Sequence, residues 1–218
     1  MSKEKAFLFD LNGTMIDDMD FHIKAWHGIL NGLGANISLA QMKEECYGKN
    51  DELLERIFPG RFSADEKTKM SYDKETAYQL AFKPSLKLLD GLDDFMEKAS
   101  KQNIPMAIGS AAIIYNIDFV LDNLNIRHYF KAIVSADDVV LSKPHPETFL
   151  KAAALLNTTP TDCLVFEDVP KGAEAAANAG MKAVVITTTH EPYEFEKLPN
   201  ILHFAADFTD EYFNELLG

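Results

Sequence analysis

Four short segments of this 218-residue chain hold side chains that could do chemistry together. Asp10-Leu11-Asn12-Gly13-Thr14 sets a carboxylate, an amide and a hydroxyl in a turn-forming run. Gly109-Ser110-Ala111 offers a second hydroxyl, and Ser142-Lys143-Pro144-His145-Pro146-Glu147 offers a lysine. Glu167-Asp168-Val169-Pro170 adds two adjacent carboxylates. Brought to one place, Asp10, Glu167 and Asp168 repel one another unless a cation neutralises them, and all-oxygen donors favour a hard ion such as Mg²⁺. A cation flanked by Ser110 and Lys143 makes a pocket for a phosphoryl group. Asp10 could then attack phosphorus and pass through an aspartyl-phosphate. Ser110 would hold a phosphoryl oxygen, and Lys143 would offset the charge of nucleophile and phosphate together.

Each of these segments follows a short apolar run, the third across a short connection. The runs are Ala6–Phe9, Pro105–Ile108, Ala132–Val134 and Cys163–Phe166, and a fifth is Ala183–Ile186. Their unbroken apolar character predicts strands covered on both faces. Between them, Leu92, Phe95, Met96 and Ala99 fall at helical spacing, and so do Phe149, Ala152, Ala153 and Leu156 to within one position. The alternation predicts an α/β fold, a doubly wound parallel sheet with right-handed crossovers. In such a sheet ligands bind beyond the carboxyl ends of the strands, where all four segments lie.

One interval breaks the alternation. About 90 residues separate the first two runs with no convincing strand, far more than a crossover needs. Trp26, Ile29, Leu30 and Leu33 form one apolar stripe, ended by Gly34; Leu53, Leu54, Ile57 and Phe58 form another, ended by Pro59-Gly60. Ser63-Ala64-Asp65-Glu66 has capping-box spacing and predicts the start of a third helix. Residues 17–84 are therefore expected to form an inserted α-helical domain, with 1–16 and 85–218 as the α/β core.

A net charge of −13 and a pI near 4.8 argue against nucleic acid and anionic membrane as partners. Cys46 and Cys163 lie far apart and read as reduced thiols. The N-terminal apolar stretch is too short for a signal-peptide core or a membrane span. A cytoplasmic monomer acting on a small molecule is expected.

With the four segments in this order, the sequence resembles the haloacid dehalogenase superfamily along essentially its whole length, most of all its β-phosphoglucomutase and sugar-phosphatase subgroup. The stretch Phe9–Thr14, followed by His22 and Trp26, carries that finer likeness. The resemblance implies a phosphohydrolase acting on a small phosphorylated substrate, with residues 17–84 as a helical cap. It implies Mg²⁺ held by Asp10, the carbonyl of Asn12 and Asp168, with Glu167 close by. It also implies phosphoryl contacts at Thr14, Ser110, Ala111 and Lys143, and a role for His22 near the reacting groups. His145 reads as structural, and Glu147 as support for a first helical turn.

Three departures bear on activity. Asn12 stands where the subgroup has an aspartate that acts as general acid and base, and an amide cannot move that proton. Asp51 stands where the mutases place an arginine for a second phosphate, and Tyr47 where they place a lysine. Asn12 leaves three readings open: a natural enzyme for substrates with good leaving groups, a substitution that traps an inactive complex, or a phosphate-binding homologue without turnover. A mutase-type phosphotransferase and a carbon–phosphorus hydrolase using Lys49 are further alternatives. Asn12-Gly13 is also a pair prone to deamidation.

Overall fold

A computed structural model describes residues 6–218; residues 1–5, where the core segment was expected to begin, lie outside them. Side chains along a strand alternate between two faces, and in β1 (Ala6–Phe9) both faces are buried. Phe7 and Phe9 meet Phe95 and Phe166 on one side, where Phe9 also reaches Phe208. Ala6 and Leu8 pack on the other among Ala107, Phe149, Val165 and Ala175.

β1 pairs in parallel with β2 (Met106–Gly109) on one flank. β3 (Phe130–Val134) lies beyond β2. On the other flank follow β4 (Cys163–Glu167), β5 (Lys182–Ile186) and β6 (Ile201–Ala205), all parallel. The order is β3-β2-β1-β4-β5-β6, a doubly wound α/β sheet whose direction of growth reverses between β1 and β4. The five predicted strands are present with ends shifted by at most two residues. β6 was not anticipated: Ile-Leu-His-Phe-Ala is interrupted by His203 and half-exposed at the sheet edge, so it lacks the apolar run of a central strand.

Contacts divide the described residues into two units, one running up to Asp17 and resuming over Lys87–Gly218, the other Asp18–Leu86. The second unit is helical: α1 (Met19–Gly32), α2 (Leu39–Glu45), α3 (Asn50–Ile57) and α4 (Ala64–Phe82). Its apolar centre holds Ile23, Trp26, Leu30, Met42, Leu53 and Leu54. Ser63 and Glu66 exchange hydrogen bonds and open α4 as expected. That helix is the fourth of the unit and not the third, because Ser38 and Gln41 form a like pair that opens α2. The first unit adds α5 (Leu92–Lys101), α6 (Ile114–Asn123), α7 (Glu147–Leu155), α8 (Pro170–Asn178) and α9 (Glu211–Leu217). α5 and α9 bring Phe95 and Phe213 to the phenylalanine face, and α7 and α8 pack their alanines on the opposite one. Among the described residues no helix is long and apolar enough to cross a membrane.

Candidate active site

The register Phe9 to Phe166 sets the ends of β1 and β4 side by side, and Asp10 N–H donates to the Phe166 carbonyl at 3.0 Å. Asp10 therefore emerges next to Glu167 and Asp168 at the point where the sheet reverses. Carboxylate oxygens of the three residues lie within 4.8 Å of one another, and all three are buried. Lys143, on the loop before α7, donates to Asp10 Oδ1 at 2.8 Å and to Glu167 Oε1 at 2.7 Å. The other oxygen of Glu167 accepts from the backbone N–H groups of Asp168 and Val169. Thr14 Oγ1 donates to Asp168 Oδ1 at 3.0 Å, and Thr189 Oγ1 to Asp168 Oδ2 at 2.6 Å.

Two glycines make this crowding feasible. Gly13 has φ +76°, and a Cβ there would stand 2.1 Å from Asp168 Oδ2. A Cβ on Gly172, in the first turn of α8, would stand 1.8 Å from Glu167 Oε1. Without side chains at these positions the β1 turn and α8 can close onto the two carboxylates.

Burial outweighs the nearby ammonium at Asp10, and with help from Glu167 holds its carboxyl up at about 6. Burial and the charges of Glu167 and Asp10 push Asp168 well above the usual carboxylate range, against the pull of its two threonine hydrogen bonds. Burial works against the charge on Lys143, but Asp10 and Glu167 prevail and hold its ammonium well above its ordinary value. When all three are ionised, three carboxylates against one ammonium leave two negative charges in excess, all on oxygen donors. A divalent hard cation matches that excess and that donor set.

Ser110 also lies at a strand end, beyond β2, with its N–H on the Val134 carbonyl. Its hydroxyl accepts from Ala112 N–H, and Ile113 and not Ser110 caps α6. Ala111 follows, half-buried. Asn12 is half-buried in the β1 turn, where Gly13 N–H is engaged by the Ile16 carbonyl at 2.8 Å. That bond occupies the nitrogen that deamidation of Asn12 requires. Thr14, expected to contact a phosphoryl oxygen, is fully buried with its hydroxyl on Asp168. Glu147 accepts from Val140 and Leu141 N–H, so it secures the loop leading to Lys143 as well as its own helix.

His22 belongs to the helical unit. There Lys74 donates to its Nδ1, so its Nε2 carries the proton and faces Asp18 Oδ2 at 3.2 Å. Tyr78 stacks on the ring at 3.8 Å and donates to the same aspartate. Arg56 stacks on Tyr47 and donates to the backbone oxygens of Glu45 and Tyr47, while Asp51 is exposed on α3. Lys49 is half-buried just before that helix. Thr189 was missed by the sequence reading, although it lies just beyond the fifth apolar run, where the strand-end rule would have found it.

A family model of haloacid dehalogenase-like hydrolases matches residues 4–180. The chain is 32% identical over 179 residues to fructose-1-phosphate phosphatase YqaB of Escherichia coli (strain K12), covering 82% of this chain and 94% of that one. It is 32% identical over 188 residues to a β-phosphoglucomutase of Bacillus subtilis (strain 168), covering 83% and 82%. The crystal structure of β-phosphoglucomutase from Clostridium difficile superposes with a TM-score of 0.84 at 29% identity, covering 98% of this chain and 96% of that one.

Proposed function

The chain belongs to the haloacid dehalogenase-like hydrolases, and from that premise we propose that it is a Mg²⁺-dependent phosphohydrolase acting on a small phosphorylated metabolite, a sugar phosphate or similar, through an aspartyl-phosphate on Asp10. The observation that carries this reading is the buried meeting of Asp10 with Glu167, Asp168 and Lys143. Relatives named as phosphatases of small phosphorylated compounds support the substrate class.

Asp10 and Asp168, with the carbonyl of Asn12, would hold the cation, and Glu167 stands close by. When bound, Mg²⁺ supplies positive charge against the nucleophile and the phosphoryl oxygens. Lys143 fixes the Asp10 carboxylate and offsets its charge as an anionic substrate approaches. A bond forms from an Asp10 oxygen to phosphorus as the bond from phosphorus to the leaving oxygen breaks. Water then cleaves the acyl phosphate, releases inorganic phosphate and restores Asp10. Ser110 and the N–H of Ala111 would take a phosphoryl oxygen beyond β2. The helical unit, with His22, would act as the cap domain that sets substrate choice.

Asn12 has no carboxyl to protonate the leaving oxygen or to activate water. We therefore place the preferred substrates among those whose leaving group needs little protonation, such as acyl phosphates. The likeness to β-phosphoglucomutases favours a second reading, a phosphotransferase, but Tyr47 and Asp51 give it no cation at the positions where a second phosphate would be gripped. The test is phosphate release from a panel of esters and acyl phosphates, with Mg²⁺ and after chelation. Release with Mg²⁺ and its loss on chelation are expected. Release that chelation leaves unchanged, or none from any compound, would overturn the reading. Interconversion of glucose phosphates followed by ³¹P spectroscopy would favour the phosphotransferase.

A further inference from the structure

The loop after β5 carries three hydroxyls in a row and then an imidazole, Thr187-Thr188-Thr189-His190. Thr188 Oγ1 donates to the Gly13 carbonyl in the β1 turn. Thr189 Oγ1 lies 2.6 Å from Asp168 Oδ2, 3.1 Å from the Asp168 backbone oxygen and 2.9 Å from His190 Nδ1. A hydroxyl has one proton to give, and 2.6 Å is the length of a charge-assisted bond to a carboxylate. The shortest contact gives that proton to the ionised Asp168, and in the tautomer with its proton on Nδ1 His190 donates to Thr189. In that tautomer a directed chain runs from His190 through Thr189 to Asp168.

Asp168 needs such restraint. It stands against Asp10 and Glu167, and like charges at this range turn a free carboxylate away from the cluster. Thr14 holds one of its oxygens and Thr189 the other, from two different strand ends. An ionised carboxylate offers about four lone-pair sites, so two hydroxyls still leave sites open to a cation.

We propose that Thr189 is a positioning residue for the cation site, fixing the Asp168 carboxylate while Thr188 ties the same loop to the turn that carries Asp10 and Asn12. The inference rests on the reading of Asp168 as a metal ligand. Thr189 touches no reacting atom in it, and its effect falls on the affinity for the cation more than on the chemical step.

The test is Mn²⁺ binding to the full chain without substrate, followed by the electron paramagnetic resonance of the free ion. It compares wild type with Thr189→Val, Thr189→Cys and Thr189→Ser, with circular dichroism as the check on folding. Valine and cysteine remove the strong donor at similar size, and serine keeps it. The first two variants are expected to weaken binding about 10–100-fold, with serine close to wild type. In turnover the concentration of Mg²⁺ for half-maximal rate rises by the same factor, while the rate at saturating Mg²⁺ is largely kept. Either of the first two variants, folded and binding as tightly as wild type, would overturn the proposal and leave the metal reading standing. Wild type that binds no Mn²⁺ would remove the metal reading, and this proposal with it.

Discussion

At position 12 the chain carries an amide in the turn that also bears Asp10, and in the proposed reaction this one residue would decide which substrates turn over. Without a carboxyl there, the proposed reaction would depend on how well the leaving oxygen carries negative charge. Asn12→Asp is expected to raise kcat/KM for esters with poor leaving groups by about 10²–10⁴-fold and to change acyl phosphates much less. A series of substrates graded by leaving-group pKa measures this, and equal acceleration across the series would contradict it. Asp10, Ser110, Glu167 and Asp168 could be located because each stands at or just beyond the end of an apolar run, and Lys143 because its loop follows the third run across a short connection. The partner of Thr14 was not legible, because its hydroxyl meets Asp168 across 154 positions of sequence. No local pattern reports that approach.

Strands and helices set the site by bringing backbone close to carboxylates, and α8 does so most tightly. Its Gly172 leaves room for the Glu167 carboxylate, which Lys143 and two backbone N–H groups hold in place. Gly172→Ala would force that carboxylate aside. The expected outcome is at least a tenfold rise in the Mg²⁺ needed for half-maximal activity with the secondary structure kept, read by metal titration and circular dichroism; an unchanged requirement would contradict it. The strand-and-helix alternation was readable because central strands are apolar throughout and amphipathic helices such as α5 show their buried stripe. α4 showed no such stripe, since its buried face carries Ser71, Lys74, Glu75, Tyr78 and Phe82. Polar side chains bury there by pairing: Lys74 with Glu75 and His22, Asn50 with Ser71 and Glu75. Apolar periodicity cannot report a face of that kind, so only the capping box marked the helix. β6 and the short α2 escaped for related reasons, one half-exposed at an edge and the other a single capped segment of seven residues.

Over the whole molecule, the charge of −13 opposes an anionic substrate, while the proposed site reverses that field locally through Lys143 and a divalent cation. The same balance makes metal binding and stability depend on pH. With its carboxyl held up at about 6 against an ordinary 3.8, Asp10 takes up a proton in the folded, metal-free chain over a range where the unfolded chain does not. Its contribution therefore favours the folded state as pH falls through about 6. Cation binding needs the ionised form, so the sign reverses with Mg²⁺ present. At a hundredfold excess over Kd, Mg²⁺ is expected to stabilise the chain by about 2.7 kcal/mol. The rise in Tm should be larger near pH 8 than near pH 5, and an equal or opposite difference in thermal melting would count against the site. The nucleophile is tested most directly by mixing the chain with Mg²⁺ and an acyl phosphate, quenching rapidly in acid, and weighing the intact protein. One added phosphoryl group that maps to Asp10 and is absent in Asp10→Asn is expected. Turnover without any phosphorylated chain, or a phosphoryl group on another residue, would contradict it.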